Sequence, residues 1–276
     1  MTHPLFSKRL PTYDPTLFEG APSYYSRYRP KYPSELYELL TTTFNLNGQG
    51  RLLDLGCGPG LITLALRDRF SELIGLDPDA AMLEEARRQA EIVGADNITW
   101  LQRGAELVDS SLGTFQLITA GRSFHWMDRL LVLNLSYDLL EPGGGFVILN
   151  SHGEDPWRSD LPWKQAALAV VKKWLGEQRR AGKGGEGLWV EPDPPHSEIL
   201  RQSAFSKQAF YEVPYQQHWT IGSFIGYLYS TAFCLPGFLE DNIEAFEREM
   251  KATLLSFSPS GEFSETYSAS ALVAWK

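Results

Sequence analysis

Cysteine is scarce in this 276-residue chain: its two thiols, Cys57 and Cys234, lie far apart. That excludes a disulfide framework and any paired-thiol zinc spacing. Histidine is scarce too, and His152, His196 and His218 show no ligand spacing, so no metal is expected. No apolar run approaches the roughly 18 residues that a membrane helix needs. The opening stretch MTHPLFSKRLPTYDP also lacks the apolar centre of a secretion signal. The expectation is a cytoplasmic protein with no membrane partner. Positive charge is in deficit as well: 25 Lys and Arg against 34 Asp and Glu give a formal charge of −9, with no basic patch. Such a surface repels a phosphate backbone, which disfavours nucleic acid as a partner. Apolar and aromatic residues, by contrast, are plentiful at 43% and 13%, enough for a substantial core.

From 50 to 150, short apolar runs alternate with amphipathic ones. RLLDL (51–55), ELIGLD (72–77), NITWL (97–101), TFQLITAG (114–121) and GGFVILN (144–150) read as strands. LITLALRDRF, AAMLEEARRQAEIVG and DRLLVLNLSYDLLEPGG between them read as helices. Met82, Ala86, Ala90 and Val93 would form the buried stripe of the second helix, with Gly94 as its C-cap. Asp128 would cap the third, and Pro142 and Gly143 would end it. Such alternation predicts an α/β fold: a doubly wound, mostly parallel sheet covered on both faces. After Asn150 the rhythm changes to a helix over 161–180 with Trp163, Ala167, Val170 and Trp174 on one face. A Gly/Pro connector (181–195), the least ordered stretch, is expected to move as substrate is admitted. A strand from 206, helices near 220–232 and 239–256 and a last strand in the tail complete the chain. The pattern predicts one domain over 1–276: an N-terminal lid or helix (1–49), a cofactor-binding core (50–150), a helical cap insertion (151–205), and last strands and helices (206–276).

LDLGCGPG places Gly56, Gly58 and Gly60 at the carboxyl end of the first strand. Backbone without Cβ atoms can approach a ligand closely there. Asp77 closes the second strand, where an acid accepts hydrogen bonds from the ribose hydroxyls of an adenosine-containing cofactor. The alternative is a tight turn followed by a helix-capping acid. The spacing is G-x-G-x-G rather than the G-x-G-x-x-G of dinucleotide enzymes, and Asp54 lies just before it. A carboxylate repels a pyrophosphate and attracts an ammonium or sulfonium, which favours S-adenosyl-L-methionine over NAD. With nothing nearby in sequence to activate it, Cys57 would be a small filler rather than a nucleophile.

LDLGCGPG followed by GLDPDAAML resembles the class I S-adenosylmethionine-dependent methyltransferase family. The likeness implies a Rossmann-like sheet of seven strands, the last antiparallel. It implies that Gly56, Gly58 and Gly60 line the methionine moiety, with Asp54 near its amino group. Asp77 would hold the ribose, Pro78 or Met82 the adenine face, and backbone at Ala105 and Glu106 the adenine edge. Gly104 stands where the family often has an acid. SYYSRYRPKYP and SFHWMD are similar to a small-molecule subgroup that includes trans-aconitate methyltransferase-like proteins; Arg122 stands where that subgroup commonly has glutamine.

AGRSFHWMD, following the fourth strand, should border the reacting methyl, with Ala120 on the cofactor side. Arg122 is a candidate contact for an anionic substrate group, or a plain ion pair on the rim. His125 is a candidate base for a phenol, hydroxyl or ammonium acceptor, a positioning group, or a packed residue. Trp126 reads as a wall. Tyr24, Tyr25, Tyr28 and Tyr32 suit a lid, with Tyr25 and Arg29 contacting the cofactor, or else plain packing. Trp157, Trp163, Trp174, Trp189 and Trp219 suggest an aromatic-lined cap over a flat or apolar acceptor, although core duty would explain most of them. The expected activity is methyl transfer from S-adenosyl-L-methionine to oxygen or nitrogen of a small-molecule acceptor. A non-catalytic cofactor-binding module and a NAD-dependent dehydrogenase are the alternatives.

Overall fold

The computed structural model describes Asp14, residues 16–153, 155–179, Ala181, 193–205 and 207–276. The expected connector and Trp189 thus fall largely outside the described residues. Seven strands form one sheet: β1 (Arg51–Leu55), β2 (Glu72–Asp77), β3 (Ile98–Gln102), β4 (Phe115–Gly121), β5 (Leu140–His152), β6 (Lys207–Thr220) and β7 (Glu262–Trp275). Their order is β3-β2-β1-β4-β5-β7-β6. The first five run parallel, and β7 is antiparallel to both its neighbours. The direction of winding reverses between β1 and β4, which opens a crevice at their carboxyl ends, where ligands of such sheets bind.

The helices are α1 (Pro22–Tyr28), α2 (Ser34–Phe44), α3 (Leu61–Ala65), α4 (Ala80–Val93), α5 (Arg129–Leu139), α6 (Pro162–Leu175), α7 (His196–Arg201), α8 (Ile221–Tyr229) and α9 (Ile243–Leu255). Side chains alternate along each strand, so neighbours serve opposite faces. Leu53 and Leu55 join Val132 of α5 and Leu200 of α7 in one core. Leu52 joins Leu36 and Leu40 of α2 and Ile62 of α3 on the other side. A third core holds α6, α8 and α9 against the ends of β6 and β7.

Three helix ends and one buried stripe depart from the sequence reading. α3 stops at Ala65 and a 3-10 turn follows over Arg67–Arg69. There Asn97 Nδ2 donates to the carbonyls of Arg67 and Phe70, which holds the turn instead. α5 stops at Leu139, before Pro142, because Leu140 is already extended and pairs with Phe115. α6 ends at Leu175 on Gly176, whose φ of +95° cannot continue a helix. In α4 the buried stripe is Met82, Leu83, Ala86 and Ala90, whereas Val93 is 45% exposed in the last turn.

Candidate active site

Two cavities of about 350 and 480 Å³ meet at this crevice and share Phe18, Tyr25, Arg122 and Trp126 as walls. The smaller is built on the glycine turn. Gly56 has φ +62°, and a Cβ there would fall 2.6 Å from Ser123 Cβ, so its bareness lets the loop after β4 close in. Gly58 has φ +54° and would face open space, which leaves its backbone exposed to the cavity. Its N–H donates to Asp77 Oδ2 at 2.8 Å, while Asp79 N–H donates to Oδ1 at 2.9 Å. Asp79 also caps α4, accepting from Ala81 and Met82, so Asp77 is not the capping acid. Burial raises the Asp77 carboxyl to about 6, against the pull of the Asp79 and Gly58 N–H groups. Pro78, Met82, Ala105 and Glu106 line the same cavity. The Glu106 carboxylate accepts from Asp128 N–H at 2.9 Å.

Four expected cofactor contacts sit elsewhere. Asp54 is 1% exposed and does not line the cavity; its two oxygens accept from Thr63 Oγ1 at 2.6 Å and Thr119 Oγ1 at 2.8 Å. Burial raises it to about 6 despite those hydroxyls. A Cβ on Gly60 would strike the Trp100 ring at 2.6 Å, so this glycine serves packing between α3 and β3. Ala120 points into the core beside Phe124, and its neighbour Gly121 lines the cavity instead. Arg29 lines the larger cavity, its guanidinium over the rings of Tyr25 at 5.1 Å and Tyr227 at 5.5 Å. Cys57 is buried against β2, and burial pushes its thiol up, which keeps it uncharged.

AGRSFHWMD walls both cavities. Arg122 stands at φ +53°, its guanidinium 4.8 Å over the Tyr32 ring and donating to the Pro30 carbonyl at 3.0 Å. A 3-10 turn, Phe124–Trp126, presents His125 to the larger cavity, with the Trp126 ring 4.8 Å away. Burial first, then the charges of His196, Arg29, Arg179 and Arg129, push His125 down to about 3. His196 lies on the same wall; burial and Arg129 lower it to about 4. Arg129 Nη1 is 3.3 Å from its Nδ1 and, being only a donor, makes that nitrogen the acceptor. Asp155 pairs with Arg179 at 2.8 Å and Arg158 at 3.7 Å on the far side. Asp155, Arg158 and Arg179 escaped the sequence reading because they lie far from the motifs, and His196 was weighed there only as a metal ligand. Ser123 and Met127, which line the smaller cavity, were within the quoted loop.

α1 lies across the shared wall. Tyr24 packs on Tyr28 and, edge-on, on Tyr229 of α8 at 5.3 Å. Ser26 Oγ donates to Glu85 of α4, so one short helix is tied to both flanks. Trp163 and Trp219 are core residues, the first stacked on Phe263 at 4.4 Å, the second donating to Glu265. Trp174 donates to Glu249 and Trp157 packs on Phe233. None of these four tryptophans lines either cavity, in keeping with the core duty expected of most of them, and arginines face the larger one. Among the described residues no His, Cys, Asp and Glu cluster could hold a metal, and no helix is long and apolar enough to cross a membrane.

A methyltransferase domain family matches residues 52–144, the glycine turn and Asp77 included. Demethylmenaquinone methyltransferase of Lactococcus lactis is 31% identical over 178 residues, which cover 60% of this chain and 68% of that protein. The chain belongs to the class I S-adenosylmethionine-dependent methyltransferase family. Trans-aconitate 2-methyltransferase of Paracidovorax citrulli is 31% identical over 173 residues, 56% of this chain and 63% of the relative. This methyltransferase spans about half the length of the curated relatives it matches first. A solved S-adenosylmethionine-dependent methyltransferase of Thiobacillus denitrificans, in complex with S-adenosyl-L-homocysteine, shares the fold. Its TM-score is 0.51 and its identity 18%, over 95% of this chain and 99% of that one.

Proposed function

We propose that this methyltransferase esterifies a carboxylate of a small molecule with the methyl group of S-adenosyl-L-methionine. The lining of the larger cavity carries the proposal: Arg29, Arg122, Arg158 and Arg179 face it beside one carboxylate, Asp155, among the described residues. Guanidinium forks match carboxylates in bidentate geometry. Arg29 and Arg179 also add to the burial that lowers His125. The name of the Paracidovorax relative denotes a carboxylic acid, in keeping with this chemistry.

The smaller cavity fits the cofactor: Gly58 offers bare backbone, Asp77 a carboxylate for ribose hydroxyls, and Pro78 and Met82 an apolar surface for adenine. When bound, the cofactor supplies a methyl group activated by its sulfonium. The chain's own task is alignment of the acceptor in a dry pocket. A carboxylate is ionised at neutral pH and needs no base. With a value near 3, His125 is a neutral imidazole and a poor proton acceptor, so its role here is to position the acceptor, with Trp126 excluding water. The test is transfer of labelled methyl to a panel of carboxylates (trans-aconitate included), amines and phenols. Label that mild alkali releases as methanol is expected from carboxylates. Alkali-stable label on amines or phenols, with carboxylates inert, would overturn the proposal.

A further inference from the structure

Lys164, in the first turn of α6, is fully buried. Its Nζ lies 2.7 Å from Glu265 Oε2 on β7, and donates to the Gly153 carbonyl at 2.6 Å and the Tyr267 hydroxyl at 3.1 Å. Glu265 accepts in turn from Trp219 Nε1 at 2.9 Å. A buried ion pair is a poor route to stability, since apolar residues of similar volume often do as well or better. An apolar residue cannot, however, grip a backbone carbonyl. Gly153 follows β5 directly, and with Asn150 and Ser151 it lines the larger cavity. Its φ is +104°, and a Cβ would fall 2.7 Å from the Tyr267 ring, so the bare backbone is what admits Tyr267 so close. A second route reaches the same wall: Tyr267 meets Tyr215 edge-on at 5.8 Å, and the Tyr215 hydroxyl is 3.0 Å from Ser151 Oγ.

We propose that Lys164, charge-balanced by Glu265, is a positioning residue that fixes the 150–153 wall of the acceptor cavity from behind. The proposal rests on the larger cavity being the acceptor site. Lys164 does not itself line that cavity; it acts through the Gly153 carbonyl and the two tyrosines.

The test compares two double variants of equal charge. Lys164→Met with Glu265→Gln removes the donor to Gly153 and keeps an acceptor for Trp219. Lys164→Gln with Glu265→Gln keeps a donor. The Met variant should melt cooperatively, bind S-adenosyl-L-homocysteine within about twofold of the parent, and exchange the 150–153 amides about tenfold faster, with β1 and β4 unchanged. The Gln variant should recover part of that protection. With trans-aconitate as acceptor, KM should rise about tenfold in the Met variant while kcat moves less than about threefold. Unchanged exchange at 150–153 in a folded Met variant, or equal loss in both variants, overturns the proposal. Should the Met variant not fold, Tyr267→Phe removes one hydroxyl of the same network. It should speed exchange at 150–153 about threefold, and no change there overturns the proposal equally. A parent enzyme inert toward carboxylates would sink the esterification reading, while the exchange rates still decide the role of Lys164.

Discussion

Asp54 and Asp77 flank the glycine turn, and burial lifts both to about 6, yet their surroundings differ. Asp54 has its oxygens filled by two threonines, whereas Asp77 borders the cavity. A folded value above the unfolded one, roughly 3.9, means the folded protein holds the proton more tightly. The contribution to stability is then full below the unfolded value and lost as pH rises through about 6. Asp54→Asn should therefore flatten the fall in melting temperature between about pH 4 and pH 6, relative to the parent; parallel curves would refute this. For Asp77 the ionised form supplies the acceptor oxygens, so affinity for S-adenosyl-L-homocysteine should drop about tenfold per pH unit below its value of about 6. Asp77→Asn should bind about ten- to a hundredfold more weakly, about 1.5–3 kcal/mol, with little pH dependence left. Calorimetry from about pH 5 to pH 8 reads both. His125→Asn should lower kcat yet leave the shape of the pH-rate profile intact, because a group near 3 does not titrate at working pH; a profile that changes shape would restore the base. The place of Asp77 on the cavity was legible because it closes a strand opposite a glycine turn. Asp54 was misplaced because charge attraction was weighed without strand alternation, which turns its side chain beneath the turn toward α3.

α1 is the element on which both cavities depend, because Tyr25 walls each of them. Its seat on α8 is a glycine: a Cβ on Gly226 would fall 2.3 Å from the Tyr28 ring, while one on Gly222, a turn earlier, would meet nothing within 4 Å. The two positions make an internal control. Gly222→Ala should be neutral or stabilising by up to about 1 kcal/mol. Gly226→Ala should push α1 off α8 and weaken binding of both S-adenosyl-L-homocysteine and the acceptor, with melting temperature lowered. Equal behaviour of the two alanine variants would show that α1 does not depend on this contact. The tyrosine-rich stretch could be read as a lid, but not its footing: Gly226 and Glu85 meet it only through tertiary packing. The runs of β1, β2 and β4 were legible because each is a compact apolar segment ending at a turn. Helix ends were less so, because Leu140 and Asn97 settle them through sheet pairing and side-chain bonds to distant backbone.

Across the whole molecule, the sheet's winding followed from alternating elements and the glycine turn, but the larger cavity did not. Its wall draws on α1, the loop after β4, the end of β5, α7 and the turn after α8, brought together by the sheet. The consequence is a local field opposed to the global one: arginines gathered in a crevice of a chain with net charge −9. The Debye length is about 30 Å at 0.01 M salt and about 8 Å at 0.15 M. At low salt a polyanionic acceptor is repelled by the distant surface before it senses the crevice. Near 0.15 M that long-range repulsion is screened, while contacts inside the partly desolvated cavity persist. Steady-state kinetics with trans-aconitate should show kcat/KM rising from about 0.01 to about 0.15 M salt and falling only above about 0.5 M, where the cavity field is itself screened. A neutral ester of the same acid should show neither limb. A monotonic fall from the lowest salt would mean that the arginine field extends beyond the crevice and governs encounter from the start.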